Sequence, residues 1–578
     1  MTAPVVRAWA EALGVCGLLV VLCWTLFTDA PRLMADFQVD AWLIAHQADS
    51  LRQDHVPSQF LHSGLIVFYP VFTFYGGTLF VIAGAIAVVV GSATAAEVII
   101  YVLAWTAAYG GWLWLGRIAG LRRWQAHVPA VLYVTSAYVI TNVYVRQDLT
   151  EMVATAMIPL LLASALSIVR ADRLRAGPAA ALAASTIVLG GSHNLTLLWG
   201  ATILGVVALA LAGAVPPARG LISRRGLLRV LAVAVPAMAV NGWCLVPDLV
   251  YHTHTTVAHR IDEWRAMVEN PGPTVDARYL FALGRPSPFP GSDLSVTLPV
   301  LAIAWVLIAA VSVRRQWRQA WARTLAIFVL ASTVLLVLIT HPKLLSALPD
   351  PWLMLQFSYR LESYVLFGLC GAVIAALVLL NRSAHRWLPV LLIPIAVLGI
   401  VDAVRQIRAA PRSPAPVIWP FDHLTVFGLG DFGDAQVREL LPDGKPPTIF
   451  TRAVVDRDRI DTEVPARPGE LLYTDVMVPA EMIDVQGARV VGRWVGPPWK
   501  PGWQRCSYLV LQVDANGRPG QRRIVIRQAQ TVPIVGGKIL TFLGLLGLAA
   551  NVVVIVRARR QGHVGSARKK SQSMGSGE

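Results

Sequence analysis

The chain has 578 residues, of which 55% are hydrophobic and only 15% are charged, and its mean hydropathy is +0.57. This composition excludes an ordinary soluble protein and indicates an integral membrane protein. The formal net charge of +16 comes from short basic clusters between apolar runs. That is the positive-inside pattern of membrane proteins, so we exclude a nucleic-acid-binding function.

About a dozen apolar runs approach the ~20 residues that a membrane-spanning helix needs. The predicted spans lie near residues 9–27, 97–116, 126–142, 152–169, 179–195, 197–214, 230–249, 296–312, 324–340, 361–380, 387–403 and 534–556. A further apolar stretch at residues 66–90 is interpreted as re-entrant or as a helix in the outer interface. If it crossed the membrane, every later basic loop would be on the wrong side.

The resulting fold class is mostly α, a polytopic transmembrane helical bundle with about twelve spans and both termini in the cytoplasm. We predict four parts: a transmembrane domain at 1–403, an extracytoplasmic β-rich domain at 404–533, a final span at 534–556 and a basic disordered cytoplasmic tail at 557–578. Alternating runs between turn signals in the second part predict a small antiparallel β-sandwich. Two interpretations stay open for it, a carbohydrate-binding or acceptor-guiding module and a lid packed on the transmembrane core.

The first outer segment carries two acids, Asp36 and Asp40, directly after the first predicted span. They are four residues apart, so on a helix they share one face. Carboxylates just above the bilayer suit a general base that takes a proton from a sugar hydroxyl, or ligands for a divalent cation. The alternative is a solvated interfacial helix without a catalytic role.

Three other outer segments supply groups that can bind a phosphate or a sugar. An arginine can hold a phosphate through two parallel hydrogen bonds, and Gln, Asn and His can orient it. Ion pairing between neighbouring spans is the alternative for the charged residues, and a buried, satisfied histidine is the alternative for the histidine. These candidates are Arg146, Asp148 and Glu151 in TNVYVRQDLTE, His193 and Asn194 in GGSHNLT, and Gln356 and Arg360 in LQFSYR.

Aromatic residues crowd the same level of the predicted bundle. The candidates for contacts with a lipid chain or a sugar ring are Tyr69, Phe72, Tyr75 and Tyr359. Trp and Tyr are also enriched at membrane interfaces regardless of function, which is the alternative reading. The sequence contains no P-loop, GxGxxG, HExxH or CxxC pair, so soluble nucleotide chemistry has no support.

The order of these features carries a family resemblance. An acid-bearing first outer loop is followed by FYPVFTFYGG, an outer VRQDLTE, a span ending in SHN and a late LQFSYR. Together they resemble bacterial multi-spanning proteins of the GT-C glycosyltransferase superfamily, over roughly residues 1–400. The residue usage, rich in Ala, Val, Arg and Trp, also resembles actinobacterial envelope proteins.

The resemblance implies a plasma-membrane enzyme with an extracytoplasmic active site and a polyprenyl-phosphate-linked sugar donor. Comparable enzymes add arabinofuranose or mannose to envelope glycans or glycolipids. By position Asp40 is the closest match to their first-loop catalytic base, and Asp36 is the second candidate. The donor phosphate is expected at Arg360, helped by Arg146 and His193, with the lipid tail near residues 66–90.

The first outer loop departs from the commonest family pattern because it has no adjacent DD, DE or DxD pair. We therefore expect no obligate metal and no other cofactor, although a divalent cation stays possible. The expected partners are the donor, a glycan or glycolipid acceptor and membrane lipids. Two other functions stay open: a transporter or flippase for a lipid-linked sugar, and a non-catalytic glycan-binding scaffold. The near absence of charge inside most spans favours an enzyme over a transporter.

Overall fold

The structure is a computed structural model. It describes residues 3–30, 33, 36–60, 70–214, 224–252, 265, 280–281, 297–355, 357–383, 385, 387–412, 454–456, 459–473, 480–495, 507–516 and 519–574.

Helices account for most of the described residues, as the composition predicts. In chain order they are α1 Ala3–Asp29, α2 Asp36–Asp54, α3 Val71–Phe74, α4 Gly77–Val90, α5 Ala93–Ile118, α6 Arg123–Val134, α7 Ala137–Tyr144, α8 Leu149–Arg170, α9 Ala176–Gly190, α10 Asn194–Ala214, α11 Arg224–Ala239, α12 Gly242–Tyr251, α13 Val300–Ser312, α14 Ala320–Thr340, α15 Asp350–Leu353, α16 Glu362–Leu380, α17 Leu392–Ala409 and α18 Val532–Met574.

Within these residues, 8 helices are long and apolar enough to cross a membrane. Two bent pairs, α6 with α7 at 47° and α11 with α12 at 72°, raise the number to 10 if each pair is one span. Three shorter apolar helices are α4, α9 and α13. The chain is therefore a multi-pass membrane protein. Each predicted span coincides with one of these helices or pairs, while the number of crossings stays a prediction.

Two hydroxyl groups lie at the break between α6 and α7. Thr135 Oγ1 donates to the Val131 carbonyl at 2.8 Å and Ser136 Oγ donates to the Tyr133 carbonyl at 2.8 Å, and each carbonyl also accepts a backbone N–H. Back-bonding of this kind often bends helices. Pro129 lies inside α6, before the break, and has no backbone N–H to donate to the preceding helical turn. The bend is therefore built into the sequence.

Small residues allow close packing between helices α5 and α8. A Cβ atom added to Gly111 would lie 2.4 Å from the Leu160 backbone nitrogen and 2.7 Å from the Pro159 carbonyl carbon. Only glycine lets two helix backbones approach so closely, as in other membrane bundles. This contact fixes α8, whose first turn carries two of the candidate site residues.

The β-rich region forms two antiparallel sheets, as predicted. Its strands are β1 Val454–Asp456, β2 Arg459–Ala466, β3 Leu471–Tyr473, β4 Ile483–Gln486, β5 Ala488–Val495, β6 Ser507–Val513 and β7 Gly520–Gln528. One sheet has the order β1-β2-β7-β4 and the other β3-β6-β5. Side chains from both sheets, including Leu509, Leu511 and Ile526, share one buried apolar core.

The β-rich region is attached to the helical part through the segment after α2. The fully buried ring of Phe60 belongs to the apolar core of the strands, together with Tyr251 at the end of α12. Gln528 of β7 donates a hydrogen bond to Gln59, and the Tyr251 hydroxyl donates to Thr531 at 2.7 Å. The last helix, α18, then packs on α11 and α12.

Helix α18 continues to Met574, where the sequence predicted a tail without regular structure. The residues after the apolar part include Arg, Lys, Gln, Ala and Met, which are good helix formers. Extending an existing helix avoids the cost of starting a new one, so these residues can continue the final span.

Replacing Gly111 by Val should lower the stability of the folded protein, because its new side chain would meet the backbone of α8. Overpacking of this kind costs about 1–3 kcal/mol or more. We expect a lower melting temperature in detergent, measured by heating samples and following the loss of the monodisperse peak in size-exclusion chromatography. The matched control is Gly110→Val, since a Cβ at Gly110 meets nothing within 4 Å. Equal melting temperatures for the two variants would contradict the close helix contact.

Candidate active site

Two arginines and two carboxylates form a buried ion cluster. One Nη2 atom of Arg146 lies 2.8 Å from Asp148 and 3.0 Å from Glu151, and Arg360 lies 3.7 Å and 3.3 Å from the same two acids. The four side chains are between 3% and 13% exposed. The sequence placed all four among the candidates, and the structure brings them together. The cluster is formally neutral.

The turn between α7 and α8 places three members of this cluster. Asp148 is the N-cap of α8, and its Oδ1 accepts a hydrogen bond from the Glu151 backbone nitrogen at 2.9 Å. Gln147 has a positive φ of 60°, which is uncommon outside glycine and makes the turn tight. Glu151 then lies in the first helical turn, where the helix dipole favours a negative charge.

Arg146 is held on every side by protein groups. Beyond the two acids, its Nη1 donates to Asn142 at 2.5 Å and to the Tyr138 hydroxyl at 3.2 Å. Its guanidinium lies 5.4 Å from the centre of the Tyr359 ring. Tyr138 and Asn142 also donate to Glu151. These contacts use the donors of Arg146, so it serves the architecture of the cluster.

Arg360 is the more available of the two arginines. It lies in a short 3-10 turn, Ser358–Leu361, directly before α16. Its described polar contacts are the two ion pairs with the acids, and its guanidinium lies 5.8 Å from the centre of the Phe357 ring. Arg360 also lines a small pocket together with Glu151, His193 and Ser363. The pocket has a volume of about 10 Å³, which is room for about one water molecule, so a phosphate would reach the Arg360 guanidinium only after the pocket widens.

His193 lies beside the cluster, in the connection between α9 and α10. Its Nδ1 is 2.7 Å from the Thr196 hydroxyl, and single ligand atoms of Asp148, Glu151 and His193 lie within 4.8 Å of one another. This spacing suits a metal ion, but the charges do not. Both carboxylates already form ion pairs with two guanidinium groups, which a divalent cation would have to displace against charge repulsion. The donor set therefore fits a metal poorly.

Asp36 lies at the exposed start of α2. Its carboxyl interacts electrostatically with Asp148, Arg146 and Arg360, which places it next to the ion cluster. Desolvation and the Asp148 charge raise the pKa of Asp36 to about 6, against the lowering effect of the two arginines. The side chain stays open to solvent, although protein surrounds it on most sides.

Asp40 lies one turn further along α2 and is buried. Its Oδ2 accepts a hydrogen bond from the Leu149 backbone nitrogen at 3.4 Å, at the start of α8. Burial, followed by the charges of Asp36 and Asp148, raises the pKa of Asp40 well above its usual range. The raised pKa favours the neutral form of this carboxyl group, and its hydrogen bond joins α2 to α8.

Helix α2 is held rigidly at both ends. Near its start the Phe37 ring stacks on Tyr101 of α5, with 6.4 Å between the ring centres. Near its end Gln47 exchanges two hydrogen bonds with Ser58, at 2.7 and 3.2 Å. His46 bonds to the Phe60 carbonyl at 3.1 Å, and burial lowers the pKa of His46 to about 4. Asp36 is thus presented by a fixed helix.

The aromatic candidates divide into two groups. Tyr75 accepts a hydrogen bond from Thr150 at 2.9 Å, and its ring meets His193 edge to face at 6.3 Å. Tyr75 and Tyr359 therefore belong to the site. Phe72 does not: its side chain is fully buried between His46 and Phe80, so the predicted contact with a lipid or a sugar is corrected.

Asn194 lies outside the ion cluster. It donates to Asp248 at 2.7 Å and to the Phe74 carbonyl at 3.2 Å, which ties α10 to α12. The predictions for Tyr69 and Gln356 lie outside the described residues.

Sequence reasoning missed two members of the site, Tyr138 and Asn142. The signal was present, because Tyr138, Asn142 and Arg146 follow one another at intervals of four residues. That interval puts all three on one face of a helix. Both residues hold Glu151 through hydrogen bonds, so they belong to the framework of the cluster.

No family model and no curated protein matches the chain. Among solved structures, the chain is similar to a cryo-EM structure of the arabinofuranosyltransferase AftD from Mycobacteria, at 16% sequence identity and a TM-score of 0.42. The match covers 70% of this chain, which spans 27% of the length of that chain.

Replacing Glu151 by Gln should destabilise the folded protein strongly. The change removes one of two negative charges that neutralise two buried arginines, and breaking a buried ion pair costs about 3–5 kcal/mol. The measurement is the melting temperature of the purified variant in detergent. Asp36→Asn is the control, because Asp36 is exposed and should leave the melting temperature near that of the parent. A Glu151→Gln protein as stable as the parent would contradict the structural role of the cluster.

Proposed function

We propose that the chain is a GT-C type membrane glycosyltransferase. It transfers a sugar, arabinofuranose or mannose, from a polyprenyl-phosphate donor to an envelope glycan or glycolipid at the outer face of the plasma membrane. One observation carries this proposal: an exposed carboxylate, Asp36, lies within electrostatic reach of an arginine, Arg360, that lines a pocket. A base and a phosphate-binding cation are the two groups that such a transfer needs.

In the proposed reaction, the oxygen of the acceptor hydroxyl attacks the anomeric carbon of the donor, and Asp36 accepts the proton of that hydroxyl. The new bond joins that oxygen to the anomeric carbon, and the bond from the anomeric carbon to the phosphate oxygen breaks. Polyprenyl phosphate leaves with the bonding electrons, and Arg360 stabilises its negative charge. Placed donors of this kind act best where charge develops in the transition state.

The assignment of the base to Asp36 revises the order that the sequence suggested. Asp40 matched the family position best, but its carboxyl is bonded to the Leu149 backbone, and burial raises its pKa well above the usual range. An acceptor hydroxyl cannot readily reach a side chain that is only 2% exposed. Asp36 is exposed and has a pKa of about 6, and general bases work best when their pKa lies near the operating pH. This contrast supports Asp36 as the base and Asp40 as a positioning residue.

Asp36→Asn should reduce kcat by about 100- to 10,000-fold, the usual cost of losing a positioned base. The assay is sugar transfer from a synthetic polyprenyl-phosphate donor by the purified, reconstituted protein. Donor binding and melting temperature should stay close to those of the parent. In the parent, activity should fall as the pH drops below about 6, because the base becomes protonated, and it should be flat above that pH.

Asp40→Asn is the control for this experiment. It keeps the size of the side chain and an acceptor oxygen for the Leu149 backbone, so the variant should retain substantial turnover. Its activity should fall below about pH 6, as in the parent. The opposite result, in which Asp40→Asn is inactive and Asp36→Asn is active, would return the base to Asp40. Lipid flipping without sugar transfer by the parent would favour the transporter alternative, and neither activity would favour the scaffold.

Arg360→Gln should lower the melting temperature, because it leaves the buried cluster with an unbalanced negative charge. In the protein that stays folded, it should raise KM for the donor by about 10- to 100-fold, since a hydrogen bond to a charged group contributes about 1.5–3 kcal/mol. Arg360→Lys keeps the charge but loses the paired geometry, so it should recover part of the affinity. The measurement is donor KM at saturating acceptor. An unchanged KM in Arg360→Gln would remove Arg360 from the phosphate site.

A further inference from the structure

A groove of about 390 Å³ lies against the break between α6 and α7. It is bounded by that break, by the start of α13 and by one face of α17, with Leu132, Leu298, Ile395 and Leu398 among its apolar walls. This volume lies within the range of sites that hold small molecules. Gly399 keeps α17 near the break, because even a Cβ there would lie 3.1 Å from the Thr135 hydroxyl.

The groove is separate from the candidate active site. No described residue lines both the groove and the pocket beside Arg360. Helix α7 is the wall between them: Ala137 lines the groove, while the next residue, Tyr138, donates its hydroxyl to Glu151. A molecule in the groove would therefore lie behind the ion cluster and would not be the reacting donor.

Two opposite charges mark one end of the groove. Asp402 and Arg405 of α17 both line it, three residues apart on one helical face. Among the described ion pairs, none joins these two side chains. Asp402 Oδ2 accepts a hydrogen bond from Gln406 at 2.7 Å, and Arg405 is exposed. Each thus keeps hydrogen-bonding capacity for a ligand.

The surroundings of the groove are lipid-facing. Leu301 on α13, and Leu398 and Val401 on α17, have exposed side chains beside or within it. Both helices are apolar, and α17 is part of a candidate span. A hydrocarbon chain can therefore enter the groove sideways from the bilayer. A headgroup that pairs with both Asp402 and Arg405 would need a positive and a negative charge.

We propose that this groove binds one membrane phospholipid with a phosphoethanolamine headgroup. One acyl chain lies along the apolar walls, the phosphate meets Arg405, and the primary ammonium donates to Asp402. Phosphatidylcholine has no N–H to donate to Asp402, and phosphatidylglycerol has no ammonium. The bound lipid supports the bent α6–α7 pair from behind, and that pair holds Tyr138 and Asn142 against Glu151.

The test is native mass spectrometry of the whole protein after exchange into micelles with phosphatidylethanolamine, phosphatidylcholine or phosphatidylglycerol of the same acyl chains. The parent should retain one phosphatidylethanolamine in preference to the other two. Asp402→Asn should lose the preference over phosphatidylcholine, and Arg405→Gln should weaken retention of all three by about fivefold, the usual effect of one basic residue near a lipid phosphate. Arg408→Gln is the matched control, since Arg408 is exposed on the same helix but does not line the groove.

A second measurement uses the unmodified protein, so its main result does not depend on the folding of a variant. Phosphatidylethanolamine with a photoreactive acyl chain should label the parent on residues 132–137 and 298–302. As an additional check, Gly399→Leu should remove this labelling by filling the groove. Equal retention of the three lipids, or labels only outside the groove, would overturn the proposal. Preferred retention of a polyprenyl phosphate would assign the groove to the donor. Since these measurements follow bound lipid and not sugar transfer, their failure leaves the proposed function standing.

Discussion

The buried pairing of Arg146 and Arg360 with Asp148 and Glu151 is the interaction on which the remaining structure of the site depends. It joins the α7–α8 turn to the start of α16, two parts of the chain more than two hundred residues apart. Each charge would be costly in a low-dielectric environment without its partners. Because two positive and two negative groups are present, the cluster tolerates burial and still offers one arginine to a pocket.

The balance of charge also decides which groups are free to react. Arg146 is consumed by four protein partners, so it fixes geometry, whereas Arg360 has longer contacts and a pocket in front of it. The same reasoning separates the two acids of α2. Asp40 faces protein and the backbone of α8, while Asp36 is exposed to solvent. The two acids lie one turn apart on α2, and because one is exposed and the other is buried, they differ in their access to a substrate.

Much of this arrangement could be predicted from the sequence, and the limits have physical reasons. Hydropathy located the helices, because burial in lipid is a property of each segment by itself. The family resemblance placed Arg360 near Arg146 and His193, but no local spacing showed that Arg360 would form ion pairs with Asp148 and Glu151. The burial of Phe72 and the exposure of Asp36 over Asp40 depend on tertiary packing, which no local pattern records. The groove beside α17 arises from a helix bend and two distant segments, so no local sequence pattern could predict it.

The short stretch that joins α2 to the strands has a mechanical consequence. Gln47 and His46 of α2 form hydrogen bonds with this segment. Phe60 and Gln59, at the end of the segment, anchor it in the β-rich region. The position of the acid-bearing helix α2 therefore depends on the sheets. Removing the sheets would expose the Phe60 ring to solvent and leave the segment after α2 without its anchor. Any shortened form of the protein must keep the β-rich region.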